Sequence, residues 1–417
     1  MWKILIIMQR KTFIALAGKS VAATICLPAF SFPKKRVVAN IERLTSPPKH
    51  HFFGYYGINP WDKSGRYHLS LETDFDDHQP TIHDKANVGW VDKTTNQFIK
   101  ISETPSFNLQ QGSMMFWIDC GYGEEFTYNS QYEGQLVSYA IHKQSQKKRR
   151  IEGAIAAVSP TYDKAIGLDF HRMSYCRPVV GYAHEEEDYV LENIPTDDGL
   201  HLLDLKTGKK SLLLSIKEVI DQMDVEVPKN QPVWFNHVLF DPSGERLLFL
   251  CRVKHETLGR LTSLWTLNKD GSDLQCQIPF GHAVSHFDWK DEKTILITSD
   301  LLGAFEYLEF TAGKKDFKAI GKNILTVDGH CSYLKDSNWI VSDTYPLGSE
   351  HQAELFLFNT EKNKKISLGK FPHDRKYRGV IRCDLHPRAS NDGKLISFDS
   401  VHEGVRQIYT VDISGII

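Results

Sequence analysis

The sequence predicts an all-β fold, a seven-bladed β-propeller, from three observations. A segment of one design recurs along the chain: an aromatic or apolar pair, a polar turn, then a run of alternating β-forming residues. The copies are spaced by roughly 40–55 residues, which is typical of one propeller blade. Aromatic residues make up 11% of the chain and suit the packing of strands. The seven copies begin at Asn59, Met115, Val158, Phe240, Phe287, Tyr333 and His386.

Length and charge narrow the organisation further. The 417 residues, 41% of them hydrophobic, would by length alone suggest two or three domains. Single blades cannot bury their faces, so we expect one closed ring over residues 34–417. The formal net charge is -2 and the charges are well mixed, which argues against nucleic acid as a partner. We predict a monomer.

Residues 1–33 have the composition of an export signal. Arg10 and Lys11 precede an apolar stretch from Phe13 to Phe30, and small residues follow at cleavage spacing. The alternative is a membrane anchor, but the apolar run is short for a membrane span. We therefore predict an exported protein, periplasmic or secreted, with no membrane span in the mature chain. Met1 and Met8 are both possible starts.

The cysteines after this signal show no close spacing, and most of them lie in strand-like runs. Such cysteines are expected to be free and buried rather than paired. No Cys-x-x-Cys pair points to zinc or redox chemistry. The six positions are Cys120, Cys176, Cys251, Cys276, Cys331 and Cys383.

Turn markers punctuate the ring, as at Asp62–Gly65 and Asp241–Gly244. A helical pattern covers Ser215 to Met223. The long interval between the third and fourth copies holds a polar, acidic insertion at about residues 172–200, predicted to be a surface loop or a lid at the channel mouth. The last strands are expected to complete a blade with the N-terminal strand, which would remove an exposed sheet edge.

Four histidines stand just before or within the start of a blade. In a propeller the innermost strand of each blade lines the central channel, so these side chains are predicted to meet near one axis. Converging imidazoles with a nearby carboxylate, Asp384, suit a divalent metal ion, and one imidazole could remain unligated as a general base. The alternative for each histidine is a structural hydrogen bond within its own blade. The four are His237, His286, His330 and His386.

Other polar segments have weaker interpretations. The amides of Asn108–Trp117 could bind sugar hydroxyls or join neighbouring blades. Tyr55 and Tyr56 could form a sugar-stacking platform or pack the ring closure, and packing is favoured slightly. The acidic and histidine pairs within residues 76–84 suggest a solvated loop more than a second metal site.

The blade sequences resemble those of oligogalacturonate lyases, a seven-bladed propeller family that cleaves pectin fragments. The likeness covers residues 234–289, 326–346 and 381–412. Its motifs run through His237, then Leu248–Cys251, Leu264–Gly271 and Ser285–Trp289, and it continues at Asp384–Pro387 and Glu403–Tyr409. The segment His51–Tyr56 echoes an early aromatic motif of the family.

The resemblance implies that His237 takes the place of the catalytic base, and that His286 and His386 take those of metal-binding histidines. Asp384 replaces a third such histidine, and the family's ligating glutamine has no clear match. His330 joins this set by its place in the blade. The metal implied is Mn²⁺, with Ca²⁺ and Zn²⁺ left open.

The family's carboxylate-binding arginine is absent from Asp197–Asp204. Arg172 and Arg177 are the candidate substitutes, because a guanidinium pairs well with a planar carboxylate, and Tyr175 between them could supply a proton or a stacking face. A salt-bridged loop is the alternative for these residues. The predicted function is metal-assisted β-elimination on a uronic-acid-containing saccharide. The alternatives are a non-catalytic TolB-like propeller that binds glycan or protein, and a propeller glycoside hydrolase.

Overall fold

A computed structural model describes residues 40–185, 191–223, 227–228, 230–257 and 259–417. Its strands form seven antiparallel sheets of four strands each, and this confirms the predicted seven-bladed propeller. The predicted export signal lies outside the described residues. Among the described residues, no helix is both long enough and apolar enough to cross a membrane.

Each blade is a meander in which consecutive strands pair with each other. Blade 1 comprises β2 His50–Phe52, β3 Tyr67–Thr73, β4 Ala86–Asp92 and β5 Gln97–Thr104. Blade 2 comprises β6 Phe116–Ile118, β7 Glu125–Tyr132, β8 Gln135–His142 and β9 Lys148–Glu152. Blade 3 comprises β10 Ile155–Val158, β11 Lys164–Gly167, β12 Gly199–Asp204 and β13 Lys210–Ser215. Blades 4 and 5 comprise β14 Val233–Phe240, β15 Arg246–His255, β16 Gly259–Asn268 and β17 Gln275–Ile278; β18 Val284–Trp289, β19 Thr294–Ser299, β20 Glu306–Thr311 and β21 Lys318–Ile320. Blade 6 comprises β22 Ser332–Tyr333, β23 Trp339–Asp343, β24 Gln352–Asn359 and β25 Lys364–Pro372.

Blade 7 closes the ring with strands from both ends of the chain. Its inner strands are β26 Arg388–Ala389, β27 Leu395–Ser400 and β28 Gln407–Asp412, and its outer strand is β1 Ile41–Arg43. β1 pairs antiparallel with β28. The predicted closure is therefore confirmed, and it pairs an edge of blade 7 that would otherwise stay open.

The repeated polar turn has a simple physical basis. In blade 1, one carboxylate oxygen of Asp62 accepts the backbone N–H groups of Arg66 and Tyr67, both at 2.9 Å. In blade 4, Asp241 accepts those of Glu245 and Arg246 at 2.9 and 3.0 Å. An aspartate that caps its own turn explains why the same residue types recur at these two hairpins.

The interval between β11 and β12 departs from the predicted surface loop. It opens with a short helix, α1 Phe170–Cys176, whose N-cap Asp169 accepts the N–H groups of His171 and Arg172. A second helix, α2 Ile216–Asp221, follows β13 and begins with a capping box at Ser215, in agreement with the helical pattern there. Because α1 buries its apolar residues against blades 3 and 4, this part of the insertion is core rather than loop.

The core lies between the blades, where the faces of neighbouring sheets pack together. The largest cluster joins blades 3 and 4 through side chains such as Ile166, Phe249 and Trp265. The six cysteines among the described residues are all free thiols, and four of them are buried, as expected. Packing of this kind fixes the position of each inner strand relative to the next, and therefore also the positions of the side chains on those strands.

Candidate active site

Two of the predicted histidines lie at irregularities of inner strands. His237 lies where the pairing of β14 with β15 shifts between Asn236 and Leu239, and its φ of 51° is rare outside glycine. His286 lies at a similar shift between Val284 and Phe287 in β18. Bulges of this kind re-aim a side chain, and they recur at functional sites.

The other two histidines share one anchoring carboxylate. Asp343, at the end of β23, accepts the backbone N–H of His330 at 2.8 Å and that of His386 at 3.0 Å. Its oxygens also lie 2.9 and 3.0 Å from Nδ1 of the His330 ring. Asp343 therefore ties blade 6 to blade 7 and orients the His330 imidazole.

The four histidines meet, as the blade positions predict. The ring centroids of His286 and His330 are 4.2 Å apart, those of His330 and His386 are 4.1 Å apart, and His237 is 5.9 Å from His286. The ring of Tyr56 lies within 6.4 Å of all four. Four consecutive blades thus deliver one imidazole each to a common point, here called the histidine cluster.

Three residues of this region have donors placed to hold a metal ion. One ligand atom each from His330, Asp384 and His386 lies within 4.8 Å of the others, and all three residues are buried. The contact of His330 Nδ1 with Asp343 leaves Nε2 as its ligand atom, and such an outer carboxylate is typical of metal-binding histidines. Two imidazole nitrogens and a carboxylate suit Mn²⁺ or Zn²⁺. The residues present therefore fit a divalent metal.

His286 is the next donor beside this group. Its Nδ1 lies 3.0 Å from a carboxylate oxygen of Asp328, and the same oxygen accepts the Thr298 hydroxyl at 2.8 Å. That contact orients Nε2 of His286 away from Asp328. His286 and His330 are thus held in the same way, each by a carboxylate on Nδ1.

Tyr55 and Tyr56 follow β2 and contact the histidine cluster. Tyr55 Oη lies 2.5 Å from Nδ1 of His237, and the two tyrosine rings stack with centroids 5.1 Å apart. Gly54 makes the entry possible: its φ is 95°, and a Cβ there would lie 2.4 Å from the backbone nitrogen of Gly112. The two tyrosines thus pack inside the ring, as the slightly favoured interpretation predicts, and they also contact the histidine cluster.

Burial and neighbouring charge set the protonation of the imidazoles. Burial, with Arg252 second, holds the pKa of His237 well below its usual range. Burial also lowers the pKa of His286 and, further, that of His386. His330 differs: burial alone would lower its pKa, but the carboxylates of Asp343 and Asp384 raise it. His237 is therefore neutral near pH 7, as a general base must be.

Arginines surround the cluster. Arg382 donates to both oxygens of Asp384, each at 2.6 Å, and its guanidinium lies 4.9 Å from the centre of the Tyr345 ring. Arg177 lies within electrostatic range of Asp384 and Tyr345, and burial together with Arg260 lowers its pKa to about 10. Asp384 keeps lone pairs for a metal despite the Arg382 pair, because each carboxylate oxygen carries two.

Arg252 is the most unusual of these groups. It is 1% exposed, its Nη1 donates to the side-chain oxygen of Asn236, and its Nε has no acceptor among the described residues. Burial, Arg260 and Arg177 all lower the pKa of Arg252. A buried guanidinium without a carboxylate is costly, which suggests that an anion completes its environment.

The remaining predicted residues lie at α1. Arg172 donates Nε to Asp198 at 2.5 Å and its other nitrogens to the carbonyl oxygens of Val233 and Glu192. The ring of Tyr175 meets the edge of His184, with centroids 5.0 Å apart. Of the two predicted arginines, Arg177 is the one placed beside the histidine cluster, and Arg172 has the environment of a structural ion pair.

Several residues of the site were missed by sequence reasoning: Tyr345, Arg252, Arg260 and Arg382. For Arg252 and Arg260, the sequence did contain a pattern that could have pointed to them. Arg252 and Lys254 are two residues apart in β15, so they lie on the same face of the strand. Arg260 lies directly opposite Lys254 in the next strand. Three cations on one face of a hairpin are unfavourable without an anion and could have been recognised as such.

Comparison with known proteins agrees on the fold. No protein-family model matches the chain, and no curated protein matches it. Among solved structures, an oligogalacturonate lyase from Vibrio parahaemolyticus is 16% identical, with a TM-score of 0.63 over 90% of this chain and 97% of that one. An oligogalacturonate lyase in complex with manganese is 17% identical, with the same TM-score over 90% and 93%.

A peptidase superposes less closely than these two lyases. A puromycin-hydrolyzing peptidase from Mycobacterium tuberculosis is 12% identical, with a TM-score of 0.56 over 89% of this chain and 55% of that chain. Likeness at such identities establishes the shared seven-bladed propeller, and function must be argued from the site itself.

Proposed function

We propose that this protein is a metal-assisted lyase that cleaves uronic-acid-containing saccharides by β-elimination, with His237 as the general base. The observation that carries the proposal is the histidine cluster: a neutral imidazole beside a group of three metal-binding donors, within reach of arginines that lack carboxylate partners. The likeness in fold to oligogalacturonate lyases, one of them in complex with manganese, supports it.

His237 has the features that proton abstraction requires. The carbon-bound proton beside a uronate carboxylate is weakly acidic, so the base must be neutral and held in place. The base-competent tautomer carries its proton on Nδ1, which then donates to Tyr55 Oη and leaves the Nε2 lone pair free. Tyr55 is thus a positioning residue for His237.

The carboxylate of the substrate must be neutralised as the proton leaves, since negative charge spreads onto it. Arg252 and Arg177 supply fixed cations for this purpose at no cost of reorganisation. A metal ion held by His330, Asp384 and His386 would add Lewis-acid stabilisation of the same charge. In the balanced reaction, the C–H bond and the C–O bond to the leaving sugar break, a C=C bond and an O–H bond form, the proton taken up by His237 is returned to the departing oxygen directly or through solvent, and no water is consumed.

A glycoside hydrolase fits the site less well. Hydrolysis of that kind needs an acid and a base carboxylate across the scissile bond. Asp384 is held by Arg382 through both oxygens, and Asp328 is held by His286 and Thr298. Asp343 is likewise held by the His330 ring and by the backbone N–H of His386. These three carboxylates at the cluster are therefore taken up by contacts with other groups.

The test is turnover on a panel of uronate oligosaccharides, followed by the ultraviolet absorbance of the unsaturated product. His237→Asn is the variant of choice, because asparagine tolerates the positive φ that alanine would strain. We expect a loss of roughly 10²–10⁴-fold, and a comparable loss on chelation. The control is His83→Ala, at an exposed loop. Activity that survives both changes would exclude the mechanism, and no product on any uronate would favour a binding protein.

A further inference from the structure

A second cavity lies inside the ring, further along the inner strands than the histidine cluster. Two residues after His237 and His286, the inner strands carry Leu239 and Asp288, and both line this cavity of about 210 Å³. Pro160, in the turn that follows β10, also lines it and is exposed to solvent. The cavity therefore opens to solvent beside the turns, and the four histidines are not among its lining residues. We call it the axial cavity.

The walls of the axial cavity are largely aromatic. Tyr55 and Tyr56 line it and also contact the histidine cluster, so they lie between the two sites. The faces of aromatic rings carry negative charge density and attract cations, and rings grouped around one space are typical of sites for organic ammonium ions. Four further rings come from blades 2, 3 and 5: Phe116, Trp117, Tyr162 and Phe287.

One acidic group lies within these walls. Asp288 is the only charged side chain among the described lining residues of the axial cavity. Its carboxylate accepts the backbone N–H of Tyr333 at 2.7 Å, and no lysine, arginine or histidine of the described chain forms an ion pair with it. A carboxylate between apolar walls is costly without a cation. The axial cavity thus lacks one positive charge.

An unpartnered hydroxyl gives independent support. Ser332 is 7% exposed, and its Oγ has no hydrogen-bond partner among the described residues. The hydroxyl lies beside Gly57 of the same lining, since a Cβ on that glycine would be 3.1 Å from Oγ. By contrast, the indole N–H of Trp117 in this lining donates to the carbonyl oxygen of Pro60 at 2.9 Å. Because buried polar groups are normally hydrogen-bonded, the Ser332 hydroxyl points to a polar group on an occupant.

We propose that the axial cavity binds a small organic ammonium ion with an apolar body. The aromatic and aliphatic walls contact the body, Asp288 neutralises the charge, and the Ser332 hydroxyl bonds an N–H or hydroxyl group of the ligand. A magnesium or calcium ion fits less well, because such ions take about six or more oxygen ligands and these walls are mainly carbon. The inference is independent of the proposed lyase activity, since it concerns other residues and a ligand of opposite charge.

The test compares cations with uncharged molecules of the same shape. Calorimetry on the purified protein measures the binding of choline against 3,3-dimethylbutanol, and of butylammonium against butanol, with potassium chloride as the inorganic cation. We expect at least one organic cation to bind roughly ten-fold more tightly than its uncharged counterpart, because the charge meets a carboxylate away from bulk water. Equal binding of cation and counterpart, binding of neither, or potassium binding as tight as that of the organic cations would overturn the proposal.

Two variants locate the bound cation. Asp288→Asn keeps an acceptor for the backbone N–H of Tyr333 and should abolish the preference for the cation. Phe116→Leu keeps an apolar wall but removes a ring, so the affinity for the cation should fall roughly three- to thirty-fold and that for the uncharged counterpart should stay nearly unchanged. Asp316→Asn, at an exposed position of blade 5, is the control and should keep the full preference. A preference that survives Asp288→Asn, or a cation affinity that Phe116→Leu leaves unchanged, would overturn the axial cavity as the site.

Discussion

Arg172 in blade 3 and Arg252 in blade 4 are both buried, with 4% and 1% of their surface exposed, yet their surroundings are opposite. Arg172 has a carboxylate partner, Asp198, and two carbonyl oxygens. Arg252 has one amide oxygen, an unpartnered Nε, and the cations Arg177 and Arg260 as its electrostatic neighbours.

The difference separates two uses of a buried charge. Removing one partner from a buried ion pair leaves the other uncompensated, so a paired arginine sustains the fold. A buried arginine without an anion weakens the fold and is retained for what it binds. Blade 3 therefore uses its arginine to hold the chain around α1, whereas in the proposed function blade 4 offers its arginine to the substrate carboxylate.

The largest expected effect is on stability, at Arg172. Arg172→Met leaves Asp198 and two carbonyl oxygens without their donor, and it should lower the free energy of unfolding by about 3–5 kcal/mol. Turnover per folded molecule should change little. Chemical denaturation measures the first quantity and the uronate assay the second. The double variant with Asp198→Asn should recover part of the loss; no recovery would mean that the pair is not the cause.

The matching change at Arg252 should act in the opposite sense. Arg252→Met removes the cation proposed to neutralise the substrate carboxylate, so turnover should fall by on the order of 10²–10³-fold. The melting temperature should hold or rise, because an uncompensated buried charge is lost. Turnover and thermal unfolding of the same preparation test both halves. A variant with a lower melting temperature and unchanged turnover would show that Arg252, like Arg172, is a structural residue, and would contradict the comparison.

The sequence predicts the features of this contrast that follow from the repeat, but not those that depend on contacts between segments distant in the chain. Blade number, ring closure and the meeting of His237, His286, His330 and His386 follow from a repeat, because the repeat fixes the end of each inner strand. Whether Arg172 or Arg177 reaches the cluster does not follow, since it depends on α1, which packs as core where the polar sequence predicts a loop. Partners brought together by such packing leave no local pattern.

A smaller effect concerns pH and the paired arginine. Burial, and secondly the carboxylate of Asp169, raise the pKa of Asp198 to about 6, although Arg172 opposes the shift. Between about pH 4, the unfolded value, and pH 6, the folded chain keeps a proton that the unfolded chain has lost. Stability should therefore fall as the pH rises through this window and stay level above it. Chemical denaturation at several pH values measures this dependence of the free energy of unfolding on pH. In Asp198→Asn the dependence should disappear.

The smallest effect concerns the pKa of His237, which also distinguishes the two arginines. Burial is the main cause of its lowered pKa, and Arg252 is the next. Replacing that cation by methionine should raise the pKa of His237, so the acid limb of the rate profile should move to higher pH. Arg172→Met should leave it in place, because Arg172 is neutralised by Asp198. Nuclear magnetic resonance titration of the His237 ring gives the same quantity directly. No shift in either variant would mean that burial alone, and not the unpaired charge of Arg252, lowers the pKa of His237.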